Sequence, residues 1–410
     1  MAALAVFALT YLAISAGRLP GLSVDRPAAA LLGAVLMVAT GVLTPAEAGA
    51  AVNGETIGLL LGTMILSAYL GEAGFFRWAS WAVIRAAGTA RALLWGLTVT
   101  AGVLSALLVN DTVCLMMTPL VARIAADARV PSLPFLLAIA FGANAGSVAT
   151  LTGNPQNMIV GSLSGIGYGP FARALGLPAL ASLLLVAALL QRLFRDRLPA
   201  GRLSVSAERP ALDAALLWRA LGATGLALAG FLLGFELAWT ALFAAALLMA
   251  VAGRAPRAAL ARVDWPLLVF FAGLFVVVAG VGRAGLADAA FRAASPWLGE
   301  GAARQAVTFG LFGALVSQVV SNVPFVLLAG HWVPRLADPT LLWLSTALCS
   351  TLAGNLTVVG SVANVIVLEL AGPEGRIGFW RFLRYGAVVT SATLAAGLGI
   401  LLLEYAAGWI

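Results

Sequence analysis

The sequence predicts an all-α polytopic membrane protein made of two inverted repeats. Each repeat is expected to hold five spanning helices and one re-entrant hairpin, with broken helices at the midplane. Three observations carry this expectation: the composition, an internal duplication, and polar interruptions at matching places in the two halves. Hydrophobic residues make up 62% of the 410 residues and charged residues 10%, and the mean hydropathy is +1.01. A soluble fold of this length has too little interior to hide that much apolar surface, so a bilayer must solvate it. The net charge of +7 is carried by Arg alone. Its distribution reads as membrane topology rather than as a nucleic-acid surface. Cys114 and Cys349 both lie in apolar segments, as small core residues do, and read as neither a disulfide nor a metal site. The first 19 residues lack a basic leader region and a good cleavage site, so they are expected to span rather than to act as a signal peptide.

The duplication is visible residue by residue. Val52-Asn-Gly-Glu-Thr-Ile leads to Gly71-Glu-Ala-Gly74, and 211 residues later Val263-Asp-Trp-Pro-Leu-Leu leads to Gly282-Arg-Ala-Gly285. Asn110 returns as Asn322 at an offset of 212, and Thr150, Gly153 and Asn157 return as Thr357, Gly360 and Asn364 at an offset of 207. A fixed period with small drift is the mark of a repeated unit with loop insertions and deletions.

The first repeat (1–195) holds expected spans at about 3–19, 27–44, 56–72, 133–163 and 173–194, with a hairpin at about 91–128 turning near Asn110-Asp111. A cytoplasmic linker (196–212) follows. The second repeat (213–410) holds spans at about 213–233, 237–253, 264–282, 340–371 and 381–404, with a hairpin at about 303–334. The spans at 133–163 and 340–371 are the broken ones. Residues 74–89 and 284–299 mix Arg with apolar residues, as interfacial helices do. Five spans per repeat force the second repeat to face the opposite way. With the N-terminus outside, 19 of the 24 Arg fall on the inner side, among them Arg18, Arg26, Arg129, Arg254 and Arg262. The positive-inside rule therefore predicts a multi-pass inner-membrane protein with both termini outside.

The polar interruptions point to function. Leu107-Leu-Val-Asn-Asp-Thr and Val319-Val-Ser-Asn-Val-Pro mark the two hairpin tips. Thr152-Gly-Asn-Pro-Gln-Asn157 and Val359-Gly-Ser-Val-Ala-Asn364 mark the two breaks. Backbone leaves helical geometry at membrane depth only where it lines a protein-enclosed cavity. Paired interruptions in two halves are the pattern of a secondary transporter's solute site. Exposed helix N-termini supply N–H donors and the positive dipole end, while Asn, Ser and Thr add side-chain donors and acceptors. On this chemistry the expected substrate-binding residues are Asn110, Asn157, Ser321, Asn322, Ser361, Asn364, Thr150 and Thr357, with Gly153 and Gly360 permitting the breaks. The alternative use of such residues is to bond neighbouring helices.

Asp111 is the sharpest single residue. A carboxylate at membrane depth is expensive in its charged form and functional by default. It is expected to carry a coupling proton, or to ligate Na⁺ together with Asn110; its alternative role is to cap the hairpin's second helix. Asn154 and Thr152 complete the expected ion-coupling group. Glu369 and Glu236 read as interfacial or loop residues, and His331 as a surface residue. Gly161-Ser-Leu-Ser-Gly165 matches a nucleophile-elbow spacing without the strand, turn and helix that chemistry needs, so no enzyme is expected.

These tips and breaks resemble the ion-transporter superfamily of arsenite permeases, citrate transporters, divalent anion:sodium symporters and one class of Na⁺/H⁺ antiporters. The resemblance covers nearly the whole chain. It implies a small anionic solute held between tips and breaks, movement by alternating access, and a homodimer in the lipid bilayer. Symporters of this group carry Ser-Asn-Thr at both tips, whereas the first tip here reads Val109-Asn110-Asp111. That departure turns the expectation from di- and tricarboxylates toward an arsenite-like oxyanion or other small organic anion, coupled to H⁺ or Na⁺ and needing no other cofactor. The alternatives are a Na⁺/H⁺ antiporter and a membrane pore serving a separate soluble ATPase.

Overall fold

The computed structural model describes residues 1–16, 25–127, 130–203, 209–372 and 376–410. Arg18, Arg129, the last residues of the first expected span and 204–208 of the expected linker lie outside the described residues. Helices and turns build everything described, with a single isolated β-bridge between Thr89 and Arg202.

The first ten helices are α1 (Ala2–Ala16), α2 (Arg26–Ala39), α3 (Pro45–Ala51), α4 (Gly54–Glu72), α5 (Phe75–Ala86), α6 (Ala90–Leu107), α7 (Asn110–Asp127), α8 (Leu133–Ser147), α9 (Pro155–Ser164) and α10 (Tyr168–Leu193). The next ten follow the same order: α11 (Ala214–Leu232), α12 (Leu237–Val251), α13 (Pro256–Leu260), α14 (Trp265–Arg283), α15 (Leu286–Leu298), α16 (Ala302–Val320), α17 (Asn322–Ala329), α18 (Pro339–Ala353), α19 (Val362–Leu370) and α20 (Phe379–Ala406). One 3₁₀ turn sits inside each break, at Leu151–Gly153 and Val358–Gly360.

Local chemistry starts many of these helices. Asp25, Asn53, Thr89, Asp213, Asp264 and Asp338 each accept a hydrogen bond from a first-turn N–H, satisfying a donor that the helix leaves orphaned. Thr44 and Glu47 form a reciprocal capping box on α3. Gly74 and Gly285 both take left-handed backbone before α5 and α15.

Seven helices, α4, α6, α10, α11, α14, α16 and α20, are long and apolar enough to cross a membrane by length and composition. Helices α1, α2, α8, α12 and α18 are shorter but also apolar. The structure moves some expected details. The first turn of the hairpin falls at Leu108-Val109; Asn110 opens α7 and Asp111 lies in its first turn. Asp111 is therefore not the helix cap, although a carboxylate there still complements the positive helix end. The second tip turns on Ser321 alone, and its return arm α17 has only 8 residues. The short helices α3 and α13 had no counterpart among the expected spans.

Packing crosses between the halves. Helix α2 lies along α14, α4 along α12, and α10 along α20. Within each half the long hairpin arm packs on the first broken segment, α6 on α8 and α16 on α18. The α6–α8 contact is close because both helices carry glycine where their backbones meet. A methyl group on Gly146 would fall on the backbone of Gly102. At the helix ends, Glu47 Oε1 in the first turn of α3 lies 3.4 Å from Arg283 Nε at α14's end. The Phe194 ring after α10 lies 4.7 Å from Tyr385 near α20's start.

Backbone cannot yield as a side chain does, so Gly146→Ala is expected to destabilise the fold by about 1–3 kcal/mol, the range for overpacking. Gly169→Ala, which would meet open space, is the control. Thermal unfolding in detergent checks this: equal melting temperatures for the two variants would refute the close-packing account.

Candidate functional site

Each break is held by an asparagine. The last carbonyls of α8 and α18 have no helical partner beyond the break, and they lie among buried residues. Asn157 Nδ2 donates to the Ser147 and Thr150 carbonyls at 3.1 and 3.0 Å. Asn364 Nδ2 donates to the Gly354 and Thr357 carbonyls at 2.7 and 3.0 Å. In both halves the carbonyls lie ten and seven residues before the asparagine, so the same brace is built twice. Both side chains are fully buried. A methyl on Gly153 would fall on the Ser147 backbone, which is why the returning chain carries glycine there.

Hairpin arms anchor the breaks from outside. Thr150 Oγ1 donates to the Ala106 carbonyl of α6 at 2.5 Å. Thr357 Oγ1 donates to Gln318 Oε1 of α16 at 2.9 Å. Gln318 occupies the position corresponding to Ala106, 212 residues on. Its Nε2 also donates to the Ala353 carbonyl at 2.9 Å.

Between these frames lies a cavity of about 30 Å³, enough for roughly two water-sized groups. Both tips and both breaks line it: Asn110 and Asp111, Ser321 and Asn322, Gln156, and Gly360 with Ser361. Phe270 and Phe271 of α14 form an apolar wall. No basic side chain lines it among the described residues. Ser321 is the one non-glycine residue with positive φ (72°) among the described residues, a conformation that persists only where its surroundings enforce it. Asn322 Oδ1 is buried without a hydrogen-bond partner among the described residues.

Asp111 also borders a second cavity, of about 60 Å³, whose lining includes Thr112, Arg262 and Asp264. It thus stands in the wall between the central cavity and a crevice bounded by the exposed residues preceding α14.

Two residues cross between the halves. Asn144 Oδ1 accepts from Asn110 Nδ2 at 3.1 Å and from Ser361 Oγ at 3.0 Å. Its Nδ2 donates to Asn355 Oδ1 at 2.9 Å and Asn364 Oδ1 at 3.4 Å. The corresponding residue of the second half is Thr351. Its Oγ1 accepts from Asn154 Nδ2 and Gln156 Nε2, both at 3.3 Å, and lies 3.5 Å from Asn157 Oδ1, to which it donates.

Of the expected residues, the structure brings Asn110, Asp111, Ser321, Asn322, Gly360 and Ser361 to the central cavity. Asn157, Asn364, Thr150, Thr357 and Gly153 stand behind it as bracing. Asn154 caps α9 by accepting from Asn157 N at 2.9 Å, and Thr152 Oγ1 lies 3.2 Å from Tyr168 OH, so neither of these lines the cavity with Asp111. Gln156, Asn144, Asn355 and Thr351 were missed. The first three lie in the interrupted segments, and buried amides inside apolar helices were the signal available. Glu236 caps α12. His331 is half-buried with its ring against Gly282, not a free surface residue.

The bracing and lining roles separate by experiment. Asn157→Ala or Asn364→Ala removes two hydrogen bonds to carbonyls at the break and is expected to destabilise by roughly 1–3 kcal/mol. Asn322→Ala, whose oxygen has no partner to lose, is expected to keep its melting temperature while losing transport. Thermal scans in detergent beside flux in liposomes read both, and equal melting losses in all three variants would refute the distinction.

Comparison with known proteins agrees with this architecture. Residues 9–340 match the citrate transporter family, CitMHS. The silicon efflux transporter LSI3 of Oryza sativa subsp. japonica is 32% identical, over 93% of this chain and 93% of that protein. The putative transporter arsB of Dictyostelium discoideum is 26% identical, over 93% of this chain and 88% of that one. The Alcanivorax borkumensis YdaH transporter shares the fold, with a TM-score of 0.59 at 17% identity over 99% of this chain and 97% of that structure. The chain belongs to the citrate transporter family of the ion-transporter superfamily, and is a multi-pass membrane permease.

Proposed function

We propose that this permease is a secondary transporter of a small oxyacid or its anion, of the arsenite or silicate class, working by alternating access and driven by protons. The observation that carries the proposal is the central cavity, where both hairpin tips and both breaks meet. Its size suits a solute of a few heavy atoms rather than a tricarboxylate. Its lining offers amides and hydroxyls but no fixed cation to neutralise a multiply charged anion. A relative named for silicon efflux supports the same solute class.

The fold supports the mechanism. We read the two ten-helix halves as inverted repeats, because the corresponding helices α10 and α20 meet end to start, Phe194 with Tyr385. We read the hairpins as re-entrant, since the Arg distribution fits ten spans with both termini outside. Rocking of the hairpin and broken-helix units against α2, α4, α12 and α14 would open the cavity to each side in turn.

Asp111 is the proposed coupling residue. It touches the central cavity and the crevice that contains Asp264 and Arg262, so a proton can reach it by a route separate from the solute. A resident Na⁺ would need several oxygen ligands. The crevice is walled largely by Met64, Ala68, Leu115, Met116 and Leu267, with Arg262 beside them, a poor cage for a cation.

The test is flux in proteoliposomes with arsenite and silicic acid, with and without a pH gradient, beside Asp111→Asn. The wild type is expected to concentrate one probe when a pH gradient is applied. The variant is expected to lose that driven component but still to exchange the probe across the bilayer without a gradient. Proton movement driven by Na⁺ alone would make the protein a Na⁺/H⁺ antiporter, and flux seen only with an added ATPase would make it a pore.

A further inference from the structure

Asn53 and Asp264 stand 211 residues apart and do the same local work. Asn53 Oδ1 accepts from the Thr56 N–H of α4 at 2.7 Å, and Asp264 Oδ1 from the Leu267 N–H of α14 at 3.0 Å. What the rest of each side chain meets is different. Asn53 Nδ2 donates to Ser162 Oγ at 2.8 Å, and Ser162 Oγ donates in turn to Glu55 Oε2 at 3.0 Å. Ser162 lies in the last turn of α9, so two hydrogen bonds tie the start of α4 to the end of the first broken segment. The two helices also pack against each other. Glu55 and Ser162 line a cavity of about 190 Å³ whose lining includes the buried Leu59 and Met158.

In the second half Glu369, near the end of α19, takes the place of Ser162, and Pro266 takes that of Glu55. An amide and a hydroxyl that bond each other are thus replaced by two carboxylates, which when ionised have no hydrogen to share. Neither Asp264 nor Glu369 is in an ion pair among the described residues. Arg262 and Asp111 border the same crevice as Asp264, and the charge of Glu369 reaches Arg26. Leu267 of α14 and Ile366 of α19 both line that crevice of about 60 Å³.

We propose that these are the two gates of the transport cycle. Asn53, Ser162 and Glu55 hold the outer side shut, and Asp264 and Glu369 face each other across the inner side. The Arg distribution puts the start of α4 outside and the start of α14 inside. Helices α9 and α19 belong to the units that rock, α4 and α14 to the helices they rock against, so each pair crosses a surface that opens once per cycle. The inference rests on the inverted repeats and alternating access proposed above. In such repeats the inner side closes by taking up the arrangement the outer side has now. Closing brings Asp264 toward Glu369 as Asn53 now meets Ser162, and like charges repel where the amide and hydroxyl bond. Arg262 and Arg26 screen part of that repulsion. The form closed outside is therefore the one the chain favours at rest.

Sided labelling of single-cysteine reporters, in membrane vesicles of known orientation, reads both gates without the solute. Met158→Cys, behind the outer gate, reports on an impermeant maleimide added outside; Ile366→Cys, on the inner crevice, reports on the same reagent added inside. Cys114 and Cys349 are buried and stay silent. Ser162→Ala removes both outer hydrogen bonds and is expected to speed outside labelling of Met158→Cys about tenfold. Asn53→Asp, which keeps the helix cap but loses the N–H donor, should act in the same direction. Asp264→Asn with Glu369→Ser transplants the outer bond to the inner side, and should slow inside labelling of Ile366→Cys while speeding outside labelling of Met158→Cys. Unchanged outside labelling in both outer variants would overturn the outer gate, and unchanged inside labelling in the double variant the inner one. Reporters that speed up or slow down together, rather than in opposition, would instead sink the alternating-access reading.

Discussion

Everything in this structure depends on how the buried carbonyls at two helix breaks are satisfied. A helix ending inside a bilayer leaves backbone acceptors with no partner, each a penalty of several kcal/mol. Asn157 and Asn364 remove that penalty by turning one amide group onto two carbonyls each. Once the breaks are stable, the N-termini of α9 and α19 can open toward a cavity, and hairpin tips from both halves can close over it. Without the braces, the break would keep fewer partners for its carbonyls, and the cavity it frames would be less stable.

The same constraint explains why the cavity is amide-rich and, among the described residues, without fixed cations. A buried ion pair must overcome the desolvation of two charges, whereas amides and hydroxyls can satisfy one another when the solute is absent. The crossing residues Asn144 and Thr351 do that across the seam between halves. A site of this kind holds its shape empty and exchanges internal hydrogen bonds for solute hydrogen bonds of similar strength. Moderate binding of that sort suits a carrier, which must release what it binds.

Much of the fold was legible because both of its signals are carried by the chain itself. Long apolar runs fix the spanning helices, and the recurrence of Thr150, Gly153 and Asn157 as Thr357, Gly360 and Asn364 locates the breaks. What stayed hidden had weaker local signatures. Helix α3 was announced only by Thr44 and Glu47 at capping-box spacing, next to a much stronger apolar run. The division of labour at the site was invisible because an asparagine that braces carbonyls and one that faces a solute are the same letter. Asn157 and Asn322 both read as binding residues, and only the position of the returning backbone separates them. Thr351 gave no signal at all, since a threonine inside an apolar helix ordinarily bonds its own preceding turn, as Thr346 does to the Leu342 carbonyl.

The pattern of identity and difference between the halves carries the functional argument furthest. Residues that hold the frame are the same in both: Asn157 with Asn364, Thr150 with Thr357, Gly153 with Gly360. Among residues at or beside the cavity the tip asparagines recur, as Asn110 and Asn322, while others differ: Gln156 corresponds to Ala363, Asn154 to Ser361, Asn144 to Thr351 and Asp111 to Val323. A frame must satisfy the same backbone geometry twice and so has little freedom to diverge. A solute presents one set of atoms to one site, and an exact two-fold arrangement of donors suits few molecules. The single carboxylate follows the same logic. On the proposed coupling role, one Asp111 on one half would give the cycle one coupling charge, whereas a duplicate at position 323 would place two carboxylates at one small cavity and repel any anion that approached.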